Sequence, residues 1–225
     1  MTASSTPPPT PQSPQTAPLS AAERAYQHTK VKILSGEAAG GVLLSEGDVA
    51  AELGISRTPV HEAFLRLDAE RLLAVAPRRG AAVVPMAPDE ARDVLEMREA
   101  VERSTARRTL AHGRPAAAVV DELRTHLDTQ RRAAAADDVQ AFVVADSAFH
   151  GVLVRASRNQ TAIQFMGLLR DRQLRLMFQH LHVGADEVAA ALAEHEAMLA
   201  AVEQGDADAY CDLLHDHVRR HRGVL

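Results

Sequence analysis

Asp146 and His150 stand four residues apart in ADSAFHGVLV (145–154), a stretch made otherwise almost entirely of small and apolar residues. On a helix, that spacing sets a carboxylate and an imidazole on one side, one turn apart. Such a pair is half of a divalent-metal site, and the other ligands must come from neighbouring helices. Eleven histidines compete for that role. His195 shares an inward helix face with Leu192, Leu199 and Val202, and His217 shares one with Tyr210, Leu213 and Leu214. His215 lies with Asp212 and Arg219 on a solvated face, and His221, one turn past His217, is a weaker alternative. His180 and His182 close a helix and read as partners of its C-terminal dipole, while His28, His112 and His126 have no companion. Asp146, His150, His195 and His217 remain. One anion and three neutral imidazoles suit Zn²⁺, Ni²⁺ or Mn²⁺, zinc first. They leave a net positive centre, open to water or an added carboxylate if the metal is five- or six-coordinate. The bland alternative is that each residue is a core-edge polar group satisfied by a backbone carbonyl or another side chain.

Helices must position these residues. The 225-residue chain is 46% hydrophobic but only 3% aromatic, with no Trp. Its core is therefore built from Ala, Leu and Val, a composition that favours close-packed helices. From Asp89 to the end the pattern predicts about six of them, over 89–111, 116–134, 138–156, 160–181, 185–203 and 207–222. His112-Gly113-Arg114-Pro115 separates the first two, Asp137 or Asp138 caps the third, and Gly205-Asp206 combines a stop with a new cap. No apolar run approaches the roughly 18 residues of a membrane span, and no signal peptide is visible. The single Cys211 excludes an internal disulfide and fits a reducing, cytoplasmic setting. A net charge of −5 excludes a wholesale nucleic-acid coat but permits a local basic surface.

Residues 1–18, rich in Pro, Ser, Thr and Gln, read as a disordered tail. Residues 19–85 form a different unit. AAERAYQHTKVKILSG predicts a helix with Ala25, Val31 or Ile33, and Leu34 on one side. Ser45-Glu46-Gly47-Asp48 resembles a capping box before Val49, Ala50 and Leu53, and Gly54 ends that helix. A short turn leads into ISRTPVHEAFLRLDAERLL, where Ser56 or Thr58 can cap and Pro59 sits in the first turn. Val60, Phe64 and Leu67 are its buried face. AVAPRRGAAVVP then predicts two short strands about an Arg78-Arg79-Gly80 turn. Three helices and a hairpin make a winged helix-turn-helix. The fold expected is thus mainly α: a winged helix-turn-helix with a small β-hairpin wing, then, over 86–225, an antiparallel bundle of about six helices.

In a helix-turn-helix the second helix of the pair enters the major groove. Arg57, Thr58 and His61 would lead it, with Arg66 further on. Arg57 can grip a guanine edge or a phosphate. Arg78 and Arg79 in the wing suit phosphate or minor-groove contact, and Gly80 permits close backbone approach.

These residues carry a resemblance. The SRTPV-x-EA core, the ending at Leu67–Leu72 and the RRG wing look like the DNA-binding domain of the GntR family of bacterial transcription regulators. His61 stands where arginine is usual, and Gly47 where many members have a polar or basic residue. The remainder resembles the FCD domain of the FadR subfamily, through EMREAVE (96–102), D-x-x-x-H with Asn159 downstream, and EHEAMLAAVEQGDADA…HDHV. The resemblance puts the family's metal ligands on Asp146, His150, His195 and His217. It also implies a small organic-acid effector beside the metal, met by Arg98 and Asn159. Arg98 has a surface ion pair with Glu102 as its alternative, and Asn159 a helix cap. The reading is a homodimeric regulator, repressor rather than activator, that binds a palindromic double-stranded DNA operator and is modulated by a small carboxylate at a metal site. It is not an enzyme. A pure metal sensor is the runner-up, and a metal-dependent enzyme fused to a DNA reader is a distant third.

Overall fold

The computed structural model of the chain describes residues 19–76, 80–181 and 185–222. The expected tail and the wing residues Arg78 and Arg79 lie outside the described residues. Helix α1 (Ala21–Leu34) starts at Ser20, whose hydroxyl accepts from the Glu23 amide. Ala25, Ile33 and Leu34 turn inward while Val31 is 48% exposed, which decides between the two alternatives for its apolar face. Helix α2 (Glu46–Leu53) begins with the Ser45 hydroxyl accepting from the Gly47 and Asp48 amides and stops at Gly54, which takes the left-handed conformation at φ +63°. Helix α3 (Arg57–Ala69) follows after one short turn, with Ser56 at the cap position but no side-chain capping bond. Val60, Phe64 and Leu67 are fully buried.

The wing contains more than a hairpin. Strands β2 (Leu73–Ala76) and β3 (Gly80–Val83) pair antiparallel, as the sequence predicts, but β1 (Leu43–Leu44) also pairs with β3, giving the order β1-β3-β2. Two residues are too few to show alternation, so β1 has no local signature. It forms because Leu43 and Leu44 find Ala82 and Ala81 opposite them. The strand also explains Gly80. A Cβ there would lie 2.4 Å from the Leu44 carbonyl oxygen, and the backbone holds φ +86°. The close approach made by this glycine within the chain is to β1.

Six helices complete the described chain: α4 (Pro88–Thr109), α5 (Ala117–Ala135), α6 (Val139–Ala156), α7 (Gln160–Leu181), α8 (Ala185–Gln204) and α9 (Ala207–Arg222). Asp138 caps α6 by accepting from the Ala141 amide, and Asp206 does the same for α9 through Ala209. Helix α6 packs against α4, α5 and α7. By length and mean hydropathy it is apolar enough to cross a membrane, contrary to the reading that no run comes close, yet it is the central helix of a bundle and half of it is buried inside. Its apolarity is that of a core element.

One hydrophobic core lies within the bundle, around Leu95, Leu123, Leu127, Phe149, Leu153, Met198 and Leu214. A second is shared between the N-terminal unit and the bundle: Ala25, Ile33, Phe64 and Leu67 join Phe142, Val143, Leu174, Met177 and Phe178 in one cluster. Helix α7 packs on α1, and α1 on α3, so a displacement of α7 reaches α3 through α1.

Candidate metal and effector site

Asp146 and His150 sit on α6, His195 on α8 and His217 on α9. All four are at most 2% exposed. One candidate ligand atom from each lies within 4.8 Å of every other. The three imidazole centroids form a nearly equilateral triangle with sides of 5.0, 5.1 and 5.0 Å. His150 Nε2 lies 3.1 Å from His195 Nε2, and Asp146 Oδ1 lies 3.3 Å from the same His195 nitrogen. Ligands about 2.0–2.2 Å from a common ion stand roughly 3 to 3.5 Å apart, so these separations fit one metal.

The outer contacts fix which ring atom faces the centre. His150 Nδ1 bonds Glu102 Oε2 at 2.8 Å, His195 Nδ1 bonds Gln130 Oε1 at 2.7 Å, and His217 Nδ1 bonds Glu194 Oε2 at 2.5 Å. Each partner atom accepts, so each Nδ1 carries the proton and donates. The Nε2 atoms of His150 and His195 are turned to each other and to Asp146. This is the outer-shell arrangement that orients histidine ligands and strengthens them as bases.

Asp146 provides the test of fit. Neither carboxylate oxygen has a hydrogen-bond partner, and the 3.3 Å approach to His195 lacks hydrogen-bond geometry. Burial pushes its carboxyl above the usual range, with His150 and Arg98 opposing that only in part. A buried carboxylate facing three imidazole lone pairs has its electrostatic demand met by a cation. Glu102 behaves differently. Burial pushes it up, but His150 and Arg98 outweigh that and hold it below its ordinary value.

Arg98 is 2% exposed, and its Nε donates to Glu102 Oε1 at 2.7 Å. The ion pair with Glu102 is real but buried, not a surface pair. Its Nη2 has no partner. Burial pulls its pKa down, and Glu102 and Asp146 more than reverse this. Asn159 Oδ1 accepts from the Ala162 amide at 3.3 Å in the first turn of α7, as a helix cap does.

Sequence reasoning did not single out Gln130 or Glu194. Glu194 reaches His217 on α9 and also receives Arg220 Nη2 at 2.7 Å. Burial raises its pKa, with Arg220 opposing. Gln130 carried a signal. It falls on the buried stripe Val120, Leu123, Leu127, Ala133, and a polar residue on an apolar stripe is what singled out the histidines.

In the N-terminal unit, Arg57, Thr58 and His61 are exposed at the start of α3. Gly47 leaves room for Arg57, since a Cβ there would meet Arg57 Nη2 at 3.2 Å. His61 Nδ1 contacts Glu46 Oε1 at 2.7 Å. Arg66 donates to Glu23 Oε2 at 2.8 Å and stacks 3.5 Å over the Tyr26 ring, so it braces α3 against α1.

A family model for bacterial regulatory proteins of the gntR family matches residues 21–83, and a model for the FCD domain matches residues 93–220. The chain is 32% identical over 194 residues to an HTH-type transcriptional regulator in an unstable DNA locus of Streptomyces ambofaciens, covering 86% of this chain and 80% of the relative. It is 26% identical over 196 residues to the gluconate operon transcriptional repressor of Bacillus licheniformis, covering 84% and 78%. The crystal structure of a transcriptional regulator GntR from Rhodococcus sp. RHA1 superposes with a TM-score of 0.76 at 22% identity, over 90% of this chain and 96% of that one.

Proposed function

Because the chain belongs to the gntR family of bacterial regulatory proteins and carries an FCD domain, we propose that it is a metal-dependent, acid-responsive repressor acting as a homodimer on a palindromic operator. It is a DNA-binding transcriptional regulator and not an enzyme. The observation that carries the metal reading is Asp146: buried, ringed by three imidazoles, and without a hydrogen bond to either oxygen. Asp146, His150, His195 and His217 would hold the ion, with Zn²⁺ favoured for three nitrogens and one oxygen. The ion supplies a net positive centre that draws a carboxylate. Glu102, Gln130 and Glu194 orient the histidines, and Arg98, through its unpartnered Nη2, supplies a guanidinium to the acid. That a relative represses a gluconate operon supports a small carboxylate as effector.

Arg57, Thr58 and His61 would enter the major groove on α3, with the wing arginines Arg78 and Arg79 against the backbone. Helix α4 carries both Arg98 and Glu102 and starts five residues after β3 ends. An acid drawn between Arg98 and the cluster shifts α4, and α4 packs on α7, whose contact with α1 passes that shift to the N-terminal unit and α3. An acid that favours the DNA-incompetent arrangement weakens operator binding by the same factor by which operator DNA weakens acid binding.

Arg98→Gln tests this. Operator affinity should stay within about twofold while the response to the acid is lost. An undiminished response would sink the role of Arg98. If removing metal alone changes operator affinity, and no acid does, the protein is a metal sensor.

A further inference from the structure

A cleft of about 550 Å³ opens between the N-terminal unit and the bundle, away from the histidine cluster. Lys30 of α1, Glu70 and Arg71 after α3, Glu90 of α4, and Asp171, Arg172 and Arg175 of α7 supply its charges. The three carboxylates are already engaged. Lys30 Nζ reaches Glu70 at 2.8 Å and Asp171 at 2.6 Å, and Arg172 Nε donates to Glu90 at 3.0 Å. Arg71 and Arg175 are left over.

Arg175 is 4% exposed as a residue and makes no hydrogen bond or ion pair among the described residues, so what remains open of it is turned to the cleft. Burial pulls its pKa down, opposed by the charge of Glu90. A half-buried guanidinium without an anionic partner favours an anion beside it. Arg71 is exposed and holds φ +59° at the residue after the α3 cap, where glycine or asparagine would sit more easily. Both line the same cleft, from opposite units.

We propose that this cleft binds a small polyanion, a phosphate or dicarboxylate group, held jointly by Arg71 and Arg175. The ligand neutralises the half-buried charge of Arg175 and ties the turn after α3 to α7. It is a second anion site, independent of the metal. It would also fix the N-terminal unit against the bundle by a route other than the shared core.

The full chain, stripped of metal with chelator, tests the site without involving the histidine cluster. Sodium phosphate and sodium succinate are titrated separately at constant ionic strength, with heat of binding as readout. One-site saturation by either probe is expected, and which probe binds identifies the headgroup. Arg175→Gln and Arg71→Asn should each weaken binding about tenfold or more, the loss of one charge-assisted contact. Arg132→Gln, an exposed charge on α5, should leave it unchanged. Arg175→Gln should melt no lower than the parent protein, and Arg71→Asn suits its backbone angle, so neither readout depends on a damaged fold. No saturation with either probe by about 10 mM, binding indifferent to both cleft variants, or equal weakening in the Arg132 variant would each overturn the proposal.

Discussion

Asp146→Asn should stabilise the metal-free protein and destabilise it relative to the parent once metal is present. The parent carboxylate is 1% exposed with both oxygens unpaired. Leaving a buried acceptor unpaired costs about 1–3 kcal/mol, more if it is charged. Asparagine keeps the shape, loses the charge and offers its amide hydrogens to the imidazole lone pairs around it. The gain without metal is about 1–2 kcal/mol, which for a chain of this size raises Tm by about 2–8 °C. With metal at a hundred times its Kd, the parent gains about 2.7 kcal/mol, or roughly 5–11 °C. The variant has lost the cluster's one anionic ligand and gains little. The order of melting temperatures therefore reverses between chelator and zinc. Calorimetric melts of both proteins under both conditions check this. A variant that melts below the parent in chelator, and gains as much from zinc, would refute the reasoning.

Other consequences follow from single contacts. Glu194→Gln leaves the four ligands in place but weakens the orientation of His217, so metal affinity should fall about 10–100-fold, read by competition with a chromogenic chelator. Gly80→Ala places a Cβ 2.4 Å from the Leu44 carbonyl oxygen at φ +86°; it should cost about 2 kcal/mol or more in denaturant unfolding and release β1. Lys30→Met removes the cation between Glu70 and Asp171, both about one-third exposed and Glu70 still held by Tyr26, and should cost about 1 kcal/mol. Burial lowers the pKa of Lys30, but its bonds to Asp171, Glu70 and Tyr26 outweigh this and raise it. The stabilisation is thus complete below the ordinary lysine value and lost only as pH climbs through the raised one. Parent and variant should differ by a constant amount between neutral pH and about 9, and converge only above about 10.4.

The helices were legible because their signals are local. Gly54, Asp138 and Gly205-Asp206 stop or start elements by their own chemistry, and Val60, Phe64 and Leu67 mark a face by period alone. That Asp146, His150, His195 and His217 face inward was legible because an ionisable residue on an apolar stripe is conspicuous whatever it meets. What escaped depended on distant partners. β1 exists only because β3 lies beside it. Nothing local reveals the Leu44 carbonyl above Gly80. The ties of Arg66 to Glu23 and Tyr26 span about forty residues. Glu194 is adjacent to His195 in sequence, yet it serves His217 on another helix, a relation that helical spacing within α8 cannot contain.

The central claim is that metal and acid together set the grip on DNA. Its most direct test is operator affinity by fluorescence anisotropy, on a site selected from random duplexes, while small carboxylic acids are added to zinc-loaded protein, chelator-stripped protein and Asp146→Asn. The account predicts that at least one acid weakens operator binding about tenfold or more in the zinc-loaded protein, and that the other two forms do not respond. An identical response in all three would contradict it.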